Sequence, residues 1–255
     1  MAIEVFNRFE NKYMLDTKTF EKICKVMDEH MILDGYCTNH QYYTISNIYY
    51  DTPDNSLIRE SLSKPVYKEK LRLRAYGVPD IDTRVYLEIK KKFNGLVNKR
   101  RTVLRLDEAY DFLATSKKPE LQNYMNEQVL NELDYFLNNY SLEPKVYIAY
   151  DRIAYFEKDN DDLRISFDTN IRTRRYDLSL EAGDYGERLL PDDVWLMEIK
   201  TSRAMPMWLC DMLTELQVYH SSFSKYGTEF ERTLKKEKTL TKKENVYKFK
   251  SRQAV

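Results

Sequence analysis

Read with the two-residue period of a β-strand, the segment from Tyr67 to Tyr76 puts Lys68, Lys70, Arg72 and Arg74 on one face, opposite Leu71, Leu73 and Ala75. Arg84, Tyr86, Glu88, Lys90 and Lys92 alternate in the same way with Val85, Leu87 and Ile89. Further on, Arg164, Ser166 and Asp168 alternate with Leu163, Ile165 and Phe167, and Glu198 and Lys200 with Trp195, Met197 and Ile199. Near the start, Arg8, Glu10 and Lys12 share a face opposite Phe9 and Tyr13. Guanidinium forks and ammonium groups repeated like this suit a phosphate-rich anion, Arg binding its oxygens in pairs and Lys acting as a mobile point charge. The carboxylates Glu10, Glu88, Glu198 and Asp168 would repel phosphate by themselves. They make sense as ligands for Mg²⁺ or Mn²⁺, hard cations that bridge carboxylate and phosphate oxygens. Pairing with the neighbouring Lys and Arg is their competing role.

Any one of these strands, taken alone, reads as a half-exposed strand with its charges in water. Five of them weaken that reading, and with amphipathic helices available to cover the apolar faces, the charged faces line either open solvent or a shared interior. A dry interior is excluded, because each unpaired buried charge costs several kcal/mol. A water-filled tunnel with more cations than carboxylates satisfies the pattern, and a polyanion would neutralise the excess. Tyr49 and Tyr150 are candidates for the same lining. Lys99, Arg100 and Arg101 fall on the next basic strand, and the sequence does not decide which of them points inward.

The elements that must position these residues follow from periodicity and turn chemistry. Strands are expected at about 3–14, 42–51, 66–76, 84–92, 97–106, 145–157, 162–168, 171–177 and 194–200. Asn94-Gly95 marks one hairpin and Thr52-Pro53-Asp54-Asn55 another turn. Helices are expected after Asp16 or Thr17 to about Met31, at Leu57–Leu62, in 107–139 with a break near Pro119, from about Pro206 to Val218, and from Tyr226 to Lys238. The fold class is therefore α+β, an antiparallel β-barrel tunnel of about eight strands with peripheral helices. A single domain over 1–255 is the working reading, with a mobile charged tail from about residue 240.

Composition narrows the partners. Lys plus Arg and Asp plus Glu both number 41, so there is no global basic field for nucleic acid or an anionic membrane. Cys24, Cys37 and Cys210 fit neither a disulfide framework nor a zinc site, and read as free thiols of a cytoplasmic protein. No stretch approaches the length of a membrane-spanning run. There is no GxxxxGK[ST] sequence, which argues against a P-loop kinase. His30, His40 and His220 lack metal-ligand spacing.

The motifs, taken in order, resemble a known family. Glu10-Asn11-Lys12-Tyr13, Arg72-Leu73-Arg74-Ala75-Tyr76-Gly77, Glu88-Ile89-Lys90, Tyr150-Asp151-Arg152, Leu163-Arg164-Ile165-Ser166-Phe167-Asp168-Thr169, Met197-Glu198-Ile199-Lys200 and Phe223-Ser224-Lys225-Tyr226 are similar to those of the VTC domain. That is the catalytic domain of the vacuolar transporter chaperone polyphosphate polymerase, within the triphosphate tunnel metalloenzyme (CYTH-like) superfamily. The resemblance implies that Lys12, Arg72, Arg74, Lys90, Arg152 and Arg164 bind phosphates, that Glu198 holds the metal, and that Lys225 contacts substrate near one mouth. Arg8, Lys70, Lys99, Arg101, Lys200 and Tyr150 are further candidates, and Glu10, Glu88 and Asp168 further metal ligands. The fungal proteins carry a second Lys just before Phe-Ser-Lys, where this chain has Ser221-Ser222.

The resemblance implies an ATP:polyphosphate phosphotransferase, using Mn²⁺ or Mg²⁺ with ATP and inorganic polyphosphate or pyrophosphate as ligands. Two other readings stay open: a hydrolase of triphosphate or short polyphosphate in the same tunnel, and a non-catalytic polyphosphate-binding protein.

Overall fold

The computed structural model describes residues 5–37, 41–158 and 160–252; side chains are described for 9–37, 41–158, 162–240. The strands are β1 (Val5–Asp16), β2 (Met31–Leu33), β3 (Tyr43–Asp51), β4 (Tyr67–Tyr76), β5 (Arg84–Phe93), β6 (Leu96–Arg105), β7 (Glu143–Glu157), β8 (Asn160–Arg174), β9 (Glu187–Arg188) and β10 (Val194–Thr201). The helices are α1 (Thr17–His30), α2 (Ser56–Leu62), α3 (Leu106–Thr115), α4 (Glu127–Asn139), α5 (Met207–Glu215) and α6 (Lys225–Arg252).

Eight strands pair antiparallel in the order β7-β3-β4-β5-β6-β1-β10-β8, and β8 pairs again with β7, so the ladder returns on itself around a lumen. The short strands β2 and β9 hang on β7 and β8. The β5–β6 hairpin turns at Asn94 and Gly95, both at positive φ (44° and 89°), where glycine bears no Cβ penalty.

Directly paired residues share a face, so the register sorts the side chains. Arg72 opposes Glu88, Glu88 opposes Arg101, Lys90 opposes Lys99, Lys12 opposes Glu198, Lys200 opposes Arg164 and Arg152 opposes Asp168. These sets continue from strand to strand as one inner face. The opposite parity is apolar and covered from outside. Leu71, Leu73, Val85, Leu87, Ile89 and Leu104 pack against α3 and α4 through Phe112, Leu130 and Leu133. Tyr13, Leu15, Ile165, Phe167, Met197 and Ile199 pack against α1 and α5 through Phe20, Ile23 and Leu209. Phe20 stacks face to face on Trp195, with centroids 3.8 Å apart.

A third cluster sits inside the ring, where the inner faces of β3 and β7 are mostly apolar. Ile45, Tyr49, Val146, Ile148 and Tyr150 meet Tyr226 and Phe230 of α6. The start of α6 therefore inserts into one end of the lumen. It is fixed by Asp51, a fully buried carboxylate that accepts from Leu57 N (2.9 Å) and Ile58 N (3.0 Å) at the start of α2, and from the Tyr226 hydroxyl (3.0 Å). Asp51→Ala leaves three buried donors unpaired, each worth about 1–3 kcal/mol. Urea denaturation is expected to show a loss of about 3 kcal/mol or more; a loss under about 1 kcal/mol would deny Asp51 this anchoring role.

The structure departs from the expected elements in three places. The two strands expected at 162–168 and 171–177 are one strand, β8. Asn170 takes a left-handed φ of 48° inside it, and its amide donates to Asp151 Oδ2 at 2.7 Å across a register shift in β7, so the ladder passes through the kink. The two short strands β2 and β9 were not foreseen, having too few residues to show a period. The backbone of α6 runs to Arg252, beyond the helix end expected at Lys238. Among the described residues no helix is long and apolar enough to cross a membrane, and the three cysteines are free thiols.

Candidate functional site

The inner face gathers Lys12, Lys70, Arg72, Arg74, Lys90, Lys99, Arg101, Arg152, Arg164, Lys200 and Lys225 around the carboxylates Glu10, Glu88, Asp168 and Glu198. Cations clearly outnumber carboxylates. Register settles what the sequence left open on β6: Lys99 and Arg101 face the lumen, and Arg100 points outward to Glu132 at 3.2 Å. For Arg8 the backbone pairs with Val97 on the lumen parity, and its side chain lies outside the described residues.

Glu88 is a hub for guanidinium groups. Arg72 Nη2 lies 2.7 Å from it, Arg74 Nε 3.7 Å, Lys99 Nζ 3.5 Å and Arg101 Nη1 3.9 Å. Burial works to raise its carboxyl, but the Arg74, Lys99, Arg72 and Arg101 charges hold it well below the usual range. It orders the four cations it touches. Arg72 also donates to the Tyr49 hydroxyl at 3.0 Å, while Arg74 donates to Asn47 Oδ1 (2.9 Å) and the Tyr150 hydroxyl (3.1 Å). Asn47 is itself fixed by donating to the Ile148 carbonyl at 3.0 Å.

A second group spans β5, β1, β10, β8, β7 and α6. Arg152 forks onto Asp168 through Nε (2.6 Å) and Nη2 (2.8 Å), and Lys225 reaches Asp168 at 2.5 Å and Glu198 at 3.5 Å. Glu198 also lies 3.4 Å from Lys12 and 3.2 Å from Lys200, and Glu10 lies 2.8 Å from Lys90 and 3.6 Å from Lys12. Burial opposes ionisation of Glu198, yet Lys12, Lys225, Lys200 and Arg152 keep it charged, its pKa well below the usual carboxylate value. Lys12 Nζ further donates to the Phe223 carbonyl at 3.0 Å, in a segment that Ser221 N ties to the Lys12 carbonyl at 2.7 Å. Lys70 reaches Ser224 Oγ at 3.3 Å. The Phe-Ser-Lys-Tyr motif thus closes one end.

The lining keeps cation capacity to spare. Side chains of Arg72, Lys90 and Arg164 are 17%, 32% and 27% exposed. Arg164 uses Nη2 to reach Asp34 at 2.9 Å, while its buried Nε and the buried hydroxyl of Ser166 have no hydrogen-bond partner. Both sit on the lumen side of β8 opposite Lys200 and Glu198. Unsatisfied buried donors beside a cationic wall suit phosphate oxygens. Ser166 was assigned no role from the sequence, although its place between Arg164 and Asp168 on one face was readable there. Asn47 carried no signal, since only the fold brings it beneath Arg74.

Burial, assisted by Lys90, Lys12 and Lys68, pushes Lys70 down to about 7. Burial also lowers Lys99 to about 7, against the opposing pull of Glu88. A polyanion bound against these two lysines would favour their charged forms, so the complex would hold more protons than the free protein and affinity would fall as pH rises above 7. Titration calorimetry of tripolyphosphate at pH 8, in buffers of different ionisation enthalpy, is expected to show uptake of roughly two protons. Zero uptake would mean that the two ammonium groups do not meet the ligand.

Among the described residues no three His, Cys, Asp or Glu side chains are disposed as a ready cage for a metal ion. Glu10 and Glu198, diagonal to each other across the paired strands β1 and β10, nevertheless offer the hard oxygen donors that Mg²⁺ or Mn²⁺ takes singly or in pairs alongside substrate phosphates.

An antiparallel ring of eight strands around a cationic lumen, with helices packed outside it, defines the triphosphate tunnel class of fold. The VTC domain family profile matches residues 7–234, and the chain belongs to that family. A search of curated proteins returned no match. Among solved structures, a "putative adenylate cyclase" from Bacillus halodurans is 12% identical, with 87% of this chain and 96% of that one aligned at a TM-score of 0.54, which supports the shared fold alone. A "putative adenylyl cyclase" from Hippeastrum, described as revealing a dominant triphosphatase activity, is 14% identical over 86% of this chain and 93% of its own, at a TM-score of 0.49.

Proposed function

We propose that the lumen binds a chain of phosphates and transfers the terminal phosphoryl group of ATP to a growing inorganic polyphosphate. The observation that carries this reading is the excess of lumen-facing cations over carboxylates, on strands whose other faces are fully committed to packing. A polyanion of regularly spaced charges is the ligand that neutralises such a wall. Membership of the VTC family supports ATP as donor and polyphosphate as product.

Phosphoryl transfer asks little covalent chemistry of a protein and much positioning and charge stabilisation. Arg72, Arg74 and Lys90 on one side, with Lys12, Arg152 and Arg164 on the other, would hold donor and acceptor phosphates in line. An acceptor phosphate oxygen bonds to Pγ while the bond from Pγ to the β–γ bridging oxygen breaks, and ADP leaves with that oxygen. The wall offsets charge on the equatorial oxygens without reorganising. Lys225 and Ser166 would fix the chain near Glu198.

Glu198, assisted by Glu10, would hold Mn²⁺ or Mg²⁺, which when bound supplies Lewis-acid stabilisation of the phosphate oxygens. The metal proposal is confined to these two. Four cations surround Glu198 as they do Glu88, but at 3.2–3.8 Å rather than from 2.7 Å, and Asp168 is forked by Arg152 at 2.6 and 2.8 Å, so a metal would displace fewer close contacts at Glu198.

Incubation of the purified protein with ATP and Mn²⁺, followed by resolution of the products, tests the reading. Long chains plus ADP are expected. ADP with free phosphate and no chains would make it a hydrolase, in which water replaces the acceptor. No turnover with tight polyphosphate binding would make it a binding protein.

A further inference from the structure

We propose that tyrosines around the mouth away from α6 form a stacking site for the base of a nucleoside triphosphate whose phosphates lie in the lumen; this rests on the phosphate reading above. Tyr43 opens β3, Tyr76 closes β4 and Tyr86 lies near the start of β5, all on the parity of the lumen-facing residues: Tyr43 opposes Arg152 and Tyr86 opposes Arg74. Tyr36, from the turn after β2, joins them. Its ring lies nearly parallel to Tyr76 (6°, centroids 5.7 Å apart), while Tyr43 lies 5.9 Å from each of them and Tyr86 meets Tyr76 edge-on at 5.7 Å.

Packing does not explain this cluster, because Tyr36 is 68% exposed and Tyr76 40%. Two exposed rings, Tyr36 and Tyr76, backed by the half-buried Tyr43 and Tyr86 at a tunnel mouth, form a platform for a flat π-system. Two cations stand directly behind it. Arg101 lies 4.6 Å from the Tyr86 ring centroid, and Arg164 Nη2 lies 3.5 Å from the Tyr43 hydroxyl. A ligand that is aromatic at one end and polyanionic at the other matches that order, whereas inorganic triphosphate gains nothing from the rings. The tyrosines offer ring faces and hydroxyls but no fixed set of donors and acceptors for one base edge. ATP and GTP are therefore expected to bind within a few-fold of each other, as stacking is sequence-tolerant.

Dissociation constants for ATP and for tripolyphosphate, measured by calorimetry on the full chain and on Tyr36→Ala, Tyr76→Ala and Tyr36→Phe, test the proposal. The alanine variants are expected to bind ATP roughly five- to a hundredfold more weakly and tripolyphosphate as wild type does, while Tyr36→Phe keeps ATP affinity within about twofold. Unchanged ATP affinity in both alanine variants, or an equal loss for both ligands, overturns the stacking site and leaves the phosphate reading standing. Failure of the wild type to bind tripolyphosphate overturns the phosphate reading and the stacking site together.

Discussion

Glu198→Gln is expected to lower turnover at least about a hundredfold while leaving the fold intact and tripolyphosphate binding undiminished. The side chain keeps its shape and its place on β10, but the charge proposed to draw a divalent cation into the lumen is lost. Lys12, Lys200, Lys225 and Arg152, all within 3.8 Å of that carboxylate, are left with one fewer negative partner and turn to the phosphates instead. Affinity for the metal-free ligand is thus expected to hold or rise even as catalysis fails. This separates a metal-binding carboxylate from a structural one: turnover within a few-fold of wild type would leave Glu198 as an ion-pair partner only.

Arg152→Ala should act mainly on stability. Asp168 is fully buried and forked by Arg152, so truncation leaves that carboxylate with Lys225 alone. Removing one member of a buried pair costs about 3–5 kcal/mol. In the wild type, burial raises the Asp168 pKa but the Arg152 and Lys225 charges bring it below the ordinary value. Its contribution to stability is therefore present above the unfolded pKa and lost as pH falls through the folded one. Without Arg152 the balance swings toward burial, so part of the variant's deficit should be recovered as pH falls and the carboxyl takes a proton. Lys90→Ala is the contrasting case. Its ion pair with Glu10 is only partly exposed (32% and 10%), but Glu10 keeps Lys12 at 3.6 Å after the truncation, so phosphate affinity should fall with a smaller loss of stability than Arg152→Ala brings. Equal destabilisation by the two variants would contradict this division.

Strand parity revealed the charged inner faces because alternation is a local property, legible from Lys68 to Arg74 and from Glu88 to Lys92 without any knowledge of neighbours. It could not show that β3 and β7 turn apolar residues inward. Ile45 and Ile148 look like any core strand residues, and only the insertion of α6 explains their position inside the ring. Parity also could not rank Glu88, Asp168 and Glu198, which occupy equivalent places in their strands. Their difference lies in cross-strand partners, four cations on Glu88, an Arg fork on Asp168 and mostly ammonium groups on Glu198, and partners depend on register. Tyr36 and Tyr76 lie forty residues apart in sequence, and no local signal announces their stacking.

The most direct measurement is a crystal structure of the protein with tripolyphosphate and Mn²⁺. Phosphorus density should run through the lumen between Arg72 and Lys90 on one wall and Arg152 and Arg164 on the other, with the metal against Glu198. Phosphates bound only on the outer surface, with the lumen-facing guanidinium groups still held by Glu88 and Asp168 alone, would contradict the account.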